Sequence, residues 1–321
     1  MNRLGSKKTF VVTGGLGFIG SHFIERILAL GHTVINIDKM TYAANLGLKF
    51  TGDYTFKQQD IAQLDDLSYC DIIVNFAAES HVDNSINASD NFITTNVLGV
   101  HNLLEIIKRH KISNMQTSWG YRPPLFVQIS TDEVFGDILQ GAFSECDRHM
   151  PSNPYAATKS CAEQLTCAWG RTYDLPYIIT RTTNNYGCRQ HPEKLIPAVI
   201  TRLRDGKKVI VHGGGHYIRN WIHVEDNVDA IIRIIDTGRE SAAYHVSSDE
   251  EYSVRQIVDK IATHMGKWYD DVVDTSTDRS GCDVRYALNH AQLTADTGWV
   301  QTRRFDNELV KIIDHYTKAC T

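Results

Sequence analysis

Between a short apolar run and an amphipathic one the chain reads Thr13-Gly14-Gly15-Leu16-Gly17-Phe18-Ile19-Gly20. The spacing Gly15-x-Gly17-x-x-Gly20 says little alone, but its surroundings constrain the fold. Lys8 to Thr13 is β-rich, and after the loop apolar residues recur at Ile19, Phe23, Ile27 and Leu30, one helix face, until Gly31 ends it. Strand, tight turn and helix make a phosphate-binding corner. Backbone without Cβ atoms can approach a pyrophosphate, and the helix N-terminus meets its charge. A second strand, Val34 to Asp38, ends on a carboxylate eighteen residues past Gly20, where it can accept hydrogen bonds from a ribose diol. Asp38 would repel a 2′-phosphate and so favours NAD over NADP, while Lys39 beside it pulls the other way.

The same alternation continues. Strands are expected near Tyr54 to Phe56, at Ile72 to Phe76 and at Leu125 to Ile129, with a long helix from about Ala88 to Lys108 carrying Ile93, Val97, Val100, Leu104 and Ile107 on one side. Continuous apolar strands separated by helices predict an α/β fold with a doubly wound, parallel Rossmann-type sheet, whose ligands bind beyond the carboxyl ends of the strands. From about Tyr186 the rhythm loosens. Helices are expected over Glu193 to Leu203, over Val224 to Ile235 and after a capping Ser253, with a strand over Lys208 to His212. The expected division is a dinucleotide-binding domain over residues 1–185 and a smaller C-terminal α/β lobe over 186–321, the two interleaved and packed at the open edge of the sheet.

Length and composition narrow the function classes. A chain of 321 residues with net charge −5 does not suit general binding to nucleic acid or to an anionic membrane surface. No stretch reaches the ~18 apolar residues of a membrane span, and Met1 to Lys8 leads into a strand instead of an apolar signal core, so a cytoplasmic location is expected. The seven cysteines form no C-x-x-C pair, which predicts reduced thiols and no metal site.

Two further stretches carry chemistry. Pro154-Tyr155-Ala156-Ala157-Thr158-Lys159 opens a helix that places Tyr155 and Lys159 on one face, where a lysine cation and an oxidised nicotinamide ring favour the phenolate. After the strand at Leu125 to Ile129 comes "STDEVFGD", residues 130–137, with Asp132 and Glu133 side by side. Consecutive residues of a regular strand face opposite ways, so both acids can serve one site only if they lie past the strand end, in a turn.

With these residues the chain resembles the extended short-chain dehydrogenase/reductases, and within them the nucleotide-sugar 4,6-dehydratases. The similarity runs in order through "TGGLGFIGSH", "DKMTYAANL", "AAESHVDNSI", "TNVLGVHNLLE", "STDEVFGD", "NPYAATKSCAEQL", "RTTNNYG", "PEKLIP", "GGGHYIRNWIHVEDNVDA" and "DVRYAL". The Thr-Asp-Glu is the most discriminating, because sister C4 epimerases usually lack it. The resemblance implies NAD as cofactor, an NDP-glucose substrate (dTDP-glucose or UDP-glucose) and a homodimer built on the helices near 88–108 and 154–173. It implies Tyr155 with Thr131 and Lys159 for oxidation at C4, Glu133 as base at C5 and Asp132 as acid at the departing 6-hydroxyl. Around the cofactor it implies Gly14, Gly17, Phe18, Ile19, Gly20, Asp38, Lys39, Asp60, Ile61, Ala77, Ala78, Ser80, Asn96 and Ser130, together with Tyr155 and Lys159. Around the substrate it implies Ser80, Thr131, Asn185, Glu193, Lys194, Leu195, His212, Arg219 and Arg279. Two other readings stand beside this one: another sugar-nucleotide enzyme such as a C4 epimerase, against which Asp132-Glu133 argues, and a catalytically silent NAD-binding protein, which would predict a lost Tyr155 or Lys159.

The chain departs from the thymidine-type pattern at the expected base pocket. Ile210-Val211-His212 stands where Pro-x-Tyr is usual, Asn220 follows Arg219 in place of Asp, and Ser280 and Cys282 replace Pro and His after Arg279. A histidine at the place of His212 is familiar from UDP-glucose enzymes of the group.

Overall fold

A computed structural model describes residues 2–115, 121–275 and 283–318. In chain order the strands are β1 Thr9–Thr13, β2 Thr33–Asp38, β3 Tyr54–Gln58, β4 Ile72–Asn75, β5 Leu125–Thr131, β6 Tyr177–Thr182, β7 Asn184–Tyr186, β8 Val209–Ile210, β9 Ile218–His223, β10 Ala242–Val246, β11 Glu251–Ser253 and β12 Val273–Asp274. Seven of them form one parallel sheet in the order β10-β6-β5-β4-β1-β2-β3. The order reverses between β1 and β4, which opens a crevice at their carboxyl ends. All seven residues of β5 and all four of β4 are buried, as the uninterrupted apolar runs require of a sheet covered on both faces.

Each face has its own helices. Phe10, Val12 and Val34 pack beneath Phe23 and Ile27 of the helix Phe18–Ala29 and Val228, Ile231 and Ile235 of the helix Val224–Thr237. On the other side Val11, Ile73 and Phe126 meet Leu103, Leu104 and Ile107 of the helix Val100–Met115 and Ala162 of the helix Pro154–Tyr173. A second core joins Tyr186, Ile196, Ile200, Trp221, Ile257, Ile261, Phe305 and Ile312 around β9, flanked by β7 and β11. The chain leaves the large sheet after β6 and returns to it through the helix Val224–Thr237 and β10, so residues far along the sequence complete the first layer.

Several boundaries differ from the sequence reading, each for a local reason. The long helix near 88–108 begins as the short turn Asp90–Phe92, continues as wide π-type turns over Ile93–Gly99 and becomes regular over Val100–Met115. The wide turns rotate the helix face. Ile93 is therefore 47% exposed while Val100, Leu104 and Ile107 remain buried. The polar stretch Ser113 to Arg122, whose composition predicts a loop, lies partly outside the described residues. The strand expected over Lys208 to His212 shrinks to Val209–Ile210, because Gly213, Gly214 and Gly215 take left-handed backbone angles and turn the chain. Pro154 does open its helix, with Asn153 accepting from Ala156 N at 2.9 Å, and Ser253 forms a complete capping box with Gln256.

Candidate active site

The carboxyl ends of β1, β2, β4, β5 and β6 converge on a cavity of about 330 Å3. At one end lie Gly14, Gly17, Phe18, Ile19 and Gly20. Gly14 has φ +68°, and a Cβ there would sit 2.6 Å from Ala77 N; a Cβ on Gly20 would sit 2.5 Å from Gly14 O. No side chain caps the helix at Gly17, so its first-turn amides are available to an anion. Asp38 stands at the end of β2, its two oxygens accepting from Leu16 N at 2.9 Å and Met40 N at 2.7 Å. Lys39, Asp60, Ile61, Ala77, Ala78 and Ser80 continue the wall, with Asp60 fixing its own turn by accepting from Ala62 N.

The other end is built on the turn after β5. At Thr131 the strand stops and Asp132–Phe135 form one tight helical turn, which aims both acids into the same cavity, as the sequence required. The Thr131 hydroxyl donates to Asp132 Oδ1 at 3.0 Å and accepts from Glu133 N at 3.3 Å. Asn153 Nδ2 donates to Glu133 Oε2 at 3.2 Å. Gly136 ends the turn at φ +76°, where a Cβ would meet Met150 O at 2.5 Å.

The electrostatics follow from burial. Removal from water pushes the Asp132 carboxyl up to about 7, and the neighbouring Glu133 charge pushes the same way, against a hydrogen bond from Thr131 and the charge of Arg219. Glu133 is also raised, chiefly by burial, with Asn153 and then Arg219 opposing. Tyr155 rises well above its usual range through burial and then the Glu133 charge, opposed by a hydrogen bond with Thr131. Burial lowers Lys159 to about 8, and its Nζ donates to Ile129 O at 2.6 Å, tying the helix to β5.

Behind these groups Arg181 of β6 donates through Nε and Nη2 to Glu163, at 3.0 and 2.8 Å to Oε2. Its guanidinium lies 4.9 Å from the centre of the Phe135 ring. Glu163 is one helical turn past Lys159, and Phe135 ends the turn of the two acids, so this buried pair links both halves of the site.

The structure brings most of the expected residues to one cavity: the glycine loop, Asp38, Lys39, Asp60, Ile61, Ala77, Ala78, Ser80, Ser130, Thr131, Asp132, Glu133, Tyr155, Lys159, Asn185, Glu193 and Lys194 all line it. Others stand apart. Asn96 lies behind the wall, its Oδ1 accepting from Glu79 N and its Nδ2 donating to Glu79 O and Thr158 Oγ1. Leu195 begins the helix Leu195–Arg204 and packs on the second core. His212 opens the glycine turn away from the cavity. Arg219 spends its guanidinium on Ile218 O at 2.7 Å and Asp283 O at 2.9 Å, over the Tyr286 ring at 4.3 Å. Arg279, Ser280 and Cys282 lie outside the described residues.

The family model described as GDP-mannose 4,6 dehydratase matches residues 11–312. The chain belongs to this family. Members similar to it include the low-salt glycan biosynthesis protein Agl12 of Haloferax volcanii, 40% identical over 95% of this chain and 97% of that protein. A dTDP-glucose 4,6-dehydratase of Haemophilus influenzae is 38% identical, again over 95% and 97%. Among solved structures, the dTDP-glucose 4,6-dehydratase DesIV of Streptomyces venezuelae, crystallised with NAD, superposes with TM-score 0.89 at 33% identity, covering 97% of each chain. The likeness to extended short-chain dehydrogenase/reductases and nucleotide-sugar 4,6-dehydratases, read from the motifs, is borne out, as is the Rossmann-type sheet.

This family member also recruits residues that the sequence reading passed over. Thr41, Ala43, Ala44, Gln59, Thr182, Thr183, Gln190 and His191 line the cavity. The signal for some was present: Thr182 and Thr183 belong to "RTTNNYG" and Thr41 to Ala44 to "DKMTYAANL". The meeting of two distant loops was not. Tyr42 sets its ring against His191 at 5.3 Å and donates to Glu193 Oε1 at 3.3 Å, which closes the cavity between segments about 150 residues apart.

Proposed function

We propose that this chain is an NAD-dependent nucleotide-sugar 4,6-dehydratase, converting dTDP-glucose or UDP-glucose into the 4-keto-6-deoxy sugar nucleotide. The observation that carries this reading is the shared cavity: buried Asp132 and half-buried Glu133, each shifted toward the protonated form, line the same wall as Tyr155 and Lys159. Relatives named for dTDP-glucose favour the thymidine sugar nucleotide, and His212 keeps the uridine one in view.

The residues present suit a dinucleotide. At the glycine end a Cβ on Gly14 would strike Ala77 N and one on Gly20 would strike Gly14 O, so only glycine lets the loop turn this tightly onto the helix N-terminus that a pyrophosphate needs, and Asp38 keeps a lone pair on each oxygen for ribose hydroxyls. Further in, Ser130 Oγ, Asp132 Oδ2, Asn185 Oδ1 and Gln190 Oε1 are buried with no hydrogen-bond partner among the described residues, and all four residues border the cavity. Gly14, Gly17, Phe18, Ile19, Gly20, Asp38, Asp60, Ile61, Ala77 and Ala78 would hold the cofactor, and Ser80, Asn185, Glu193 and Lys194 the sugar and diphosphate. NAD, when bound, accepts a hydride from sugar C4 and later returns it to C6.

The protein's own groups do the proton work. Tyr155 takes the proton of the 4-hydroxyl, relayed or steadied by the Thr131 hydroxyl, and the Lys159 cation favours the phenolate that this requires. A 4-ketone acidifies the hydrogen on C5, which Glu133 removes as a proton. Asp132, kept partly protonated near neutrality by burial and by Glu133, gives its proton to the 6-hydroxyl, which leaves as water. The charge of Arg219 opposes the rise of both acids.

The reading includes a homodimer and a cytoplasmic location. Ile86, Ile93 and Leu98 expose apolar surface beside the helix Pro154–Tyr173, which suits pairing of these helices with those of a second copy, a state that light scattering reads directly. Among the described residues no helix is long and apolar enough to cross a membrane. The activity itself is tested by incubating the protein with NAD and dTDP-glucose or UDP-glucose and following the 4-keto product by its absorbance in alkali. No product from either sugar nucleotide refutes the proposal.

A further inference from the structure

At the Asp38 end of the cavity acids outnumber bases. Asp38 and Asp60 line it and Glu79 stands just behind, three carboxylates against the single ammonium of Lys39. Lys39 is fully engaged: its Nζ donates to Thr95 Oγ1 at 2.8 Å and lies 3.1 Å from Glu79 Oε1 and 3.9 Å from Asp60 Oδ2. Glu79 is itself held, since Asn96 Oδ1 accepts from its N–H at 2.9 Å and Asn96 Nδ2 donates to its carbonyl at 3.0 Å. Thr95 and Asn96 are buried neighbours in the wide-turn segment Ile93–Gly99, so that irregular helix supplies both the acceptor for Lys39 and the clamp on Glu79. Such a break in a regular helix is a frequent mark of function.

A 2′-phosphate needs an unengaged cation near the ribose, because it brings close to two negative charges into a site already short of positive ones. Lys39 is the residue placed to supply it. The other lysines bordering the cavity are committed elsewhere, Lys159 to Ile129 O and Lys194 to Ser80 O. We propose that Glu79, fixed by Asn96, selects NAD over NADP by holding Lys39 away from the position of a 2′-phosphate, so that specificity rests on the Glu79–Lys39 pair as well as on Asp38. Glu79 acts through Lys39 and does not itself border the cavity. The inference rests on the dinucleotide reading of the site.

The test is isothermal titration of the full chain, freed of bound nucleotide, with NAD and with NADP. A thermal melt confirms that each variant is folded. Glu79→Gln removes one negative charge and its pull on Lys39, which lowers the ratio of the NADP to the NAD dissociation constant by about tenfold. In a Lys39→Met background the same change moves the ratio by less than about threefold, because the released cation is gone. An unchanged ratio in Glu79→Gln overturns the inference, and so does a tenfold change that persists without Lys39. Binding of neither nucleotide by the wild type refutes the dinucleotide reading, an outcome distinct from both.

Discussion

Replacing Asp132 by Asn should make the protein less active and, above neutral pH, more stable. Burial and the charge of Glu133 raise the Asp132 carboxyl from 3.8 to about 7. The unfolded chain gives up this proton near 3.8, whereas the folded chain keeps it until about 7. Between those values the folded state binds the extra proton, so stability falls as pH rises through this window and stays low above it. The full difference corresponds to about 4 kcal/mol. Asn cannot ionise and escapes this loss, but its amide places a donor where Asp132 Oδ2 has no partner among the described residues, at a cost of about 1–3 kcal/mol. The net expectation is a gain of about 1–3 kcal/mol over wild type at pH 8 and a loss of about 1–2 kcal/mol at pH 4, where the charge penalty is almost absent. Urea unfolding of the nucleotide-free chain at both pH values measures it, while dehydration should fall by about 10²-fold or more through loss of the proposed acid. A stability difference between variant and wild type that is the same at pH 4 and pH 8 would refute the reasoning, because the carboxyl would then not be held protonated by the fold.

Glu133→Gln removes the proposed base at C5, so exchange of the C5 hydrogen with deuterated solvent should fall by about 10²-fold or more, read by mass spectrometry of the sugar nucleotide. It also takes away the charge that helps to raise Asp132, so the alkaline limb of any residual activity moves to lower pH. Glu163→Gln leaves the buried Arg181 guanidinium without its counter-ion and should cost about 3–5 kcal/mol in urea unfolding. Because the Glu163 charge raises Lys159, the same change lowers that ammonium below about 8, so the pH–rate profile for C4 oxidation shifts to lower pH; an unshifted profile would mean that the pair is a brace alone.

The sequence carried the parts of this fold that are local or periodic. The corner from Thr9 to Ala29, the Pro154 helix start and the Ser253 cap depend on neighbours a few residues apart, and all three form as their residues dictate. The wide turns at Ile93–Gly99 did not show, because apolar spacing alone cannot register an inserted residue, and Ile93 was placed on the wrong face. Nor did the return of β10 to the large sheet, since nothing in Ala242–Val246 says which edge it will join. At the site, the residue types and their order pointed to the two acids, the tyrosine and the lysine. Side-chain partners were beyond reach: that Asn96 clamps Glu79 and that Arg219 turns to backbone carbonyls follow from packing between distant segments.

In the proposed reaction one site oxidises C4, eliminates across C5 and C6 and returns the same hydrogen to C6. It is tested most directly by incubating the protein and NAD with dTDP-glucose, and separately UDP-glucose, carrying deuterium at C4, and locating the label by NMR. The expected outcome is a 4-keto-6-deoxy product with the deuterium on C6 and a solvent-derived hydrogen on C5. Deuterium retained at C4 of an epimerised sugar, or no conversion of either substrate, would contradict it.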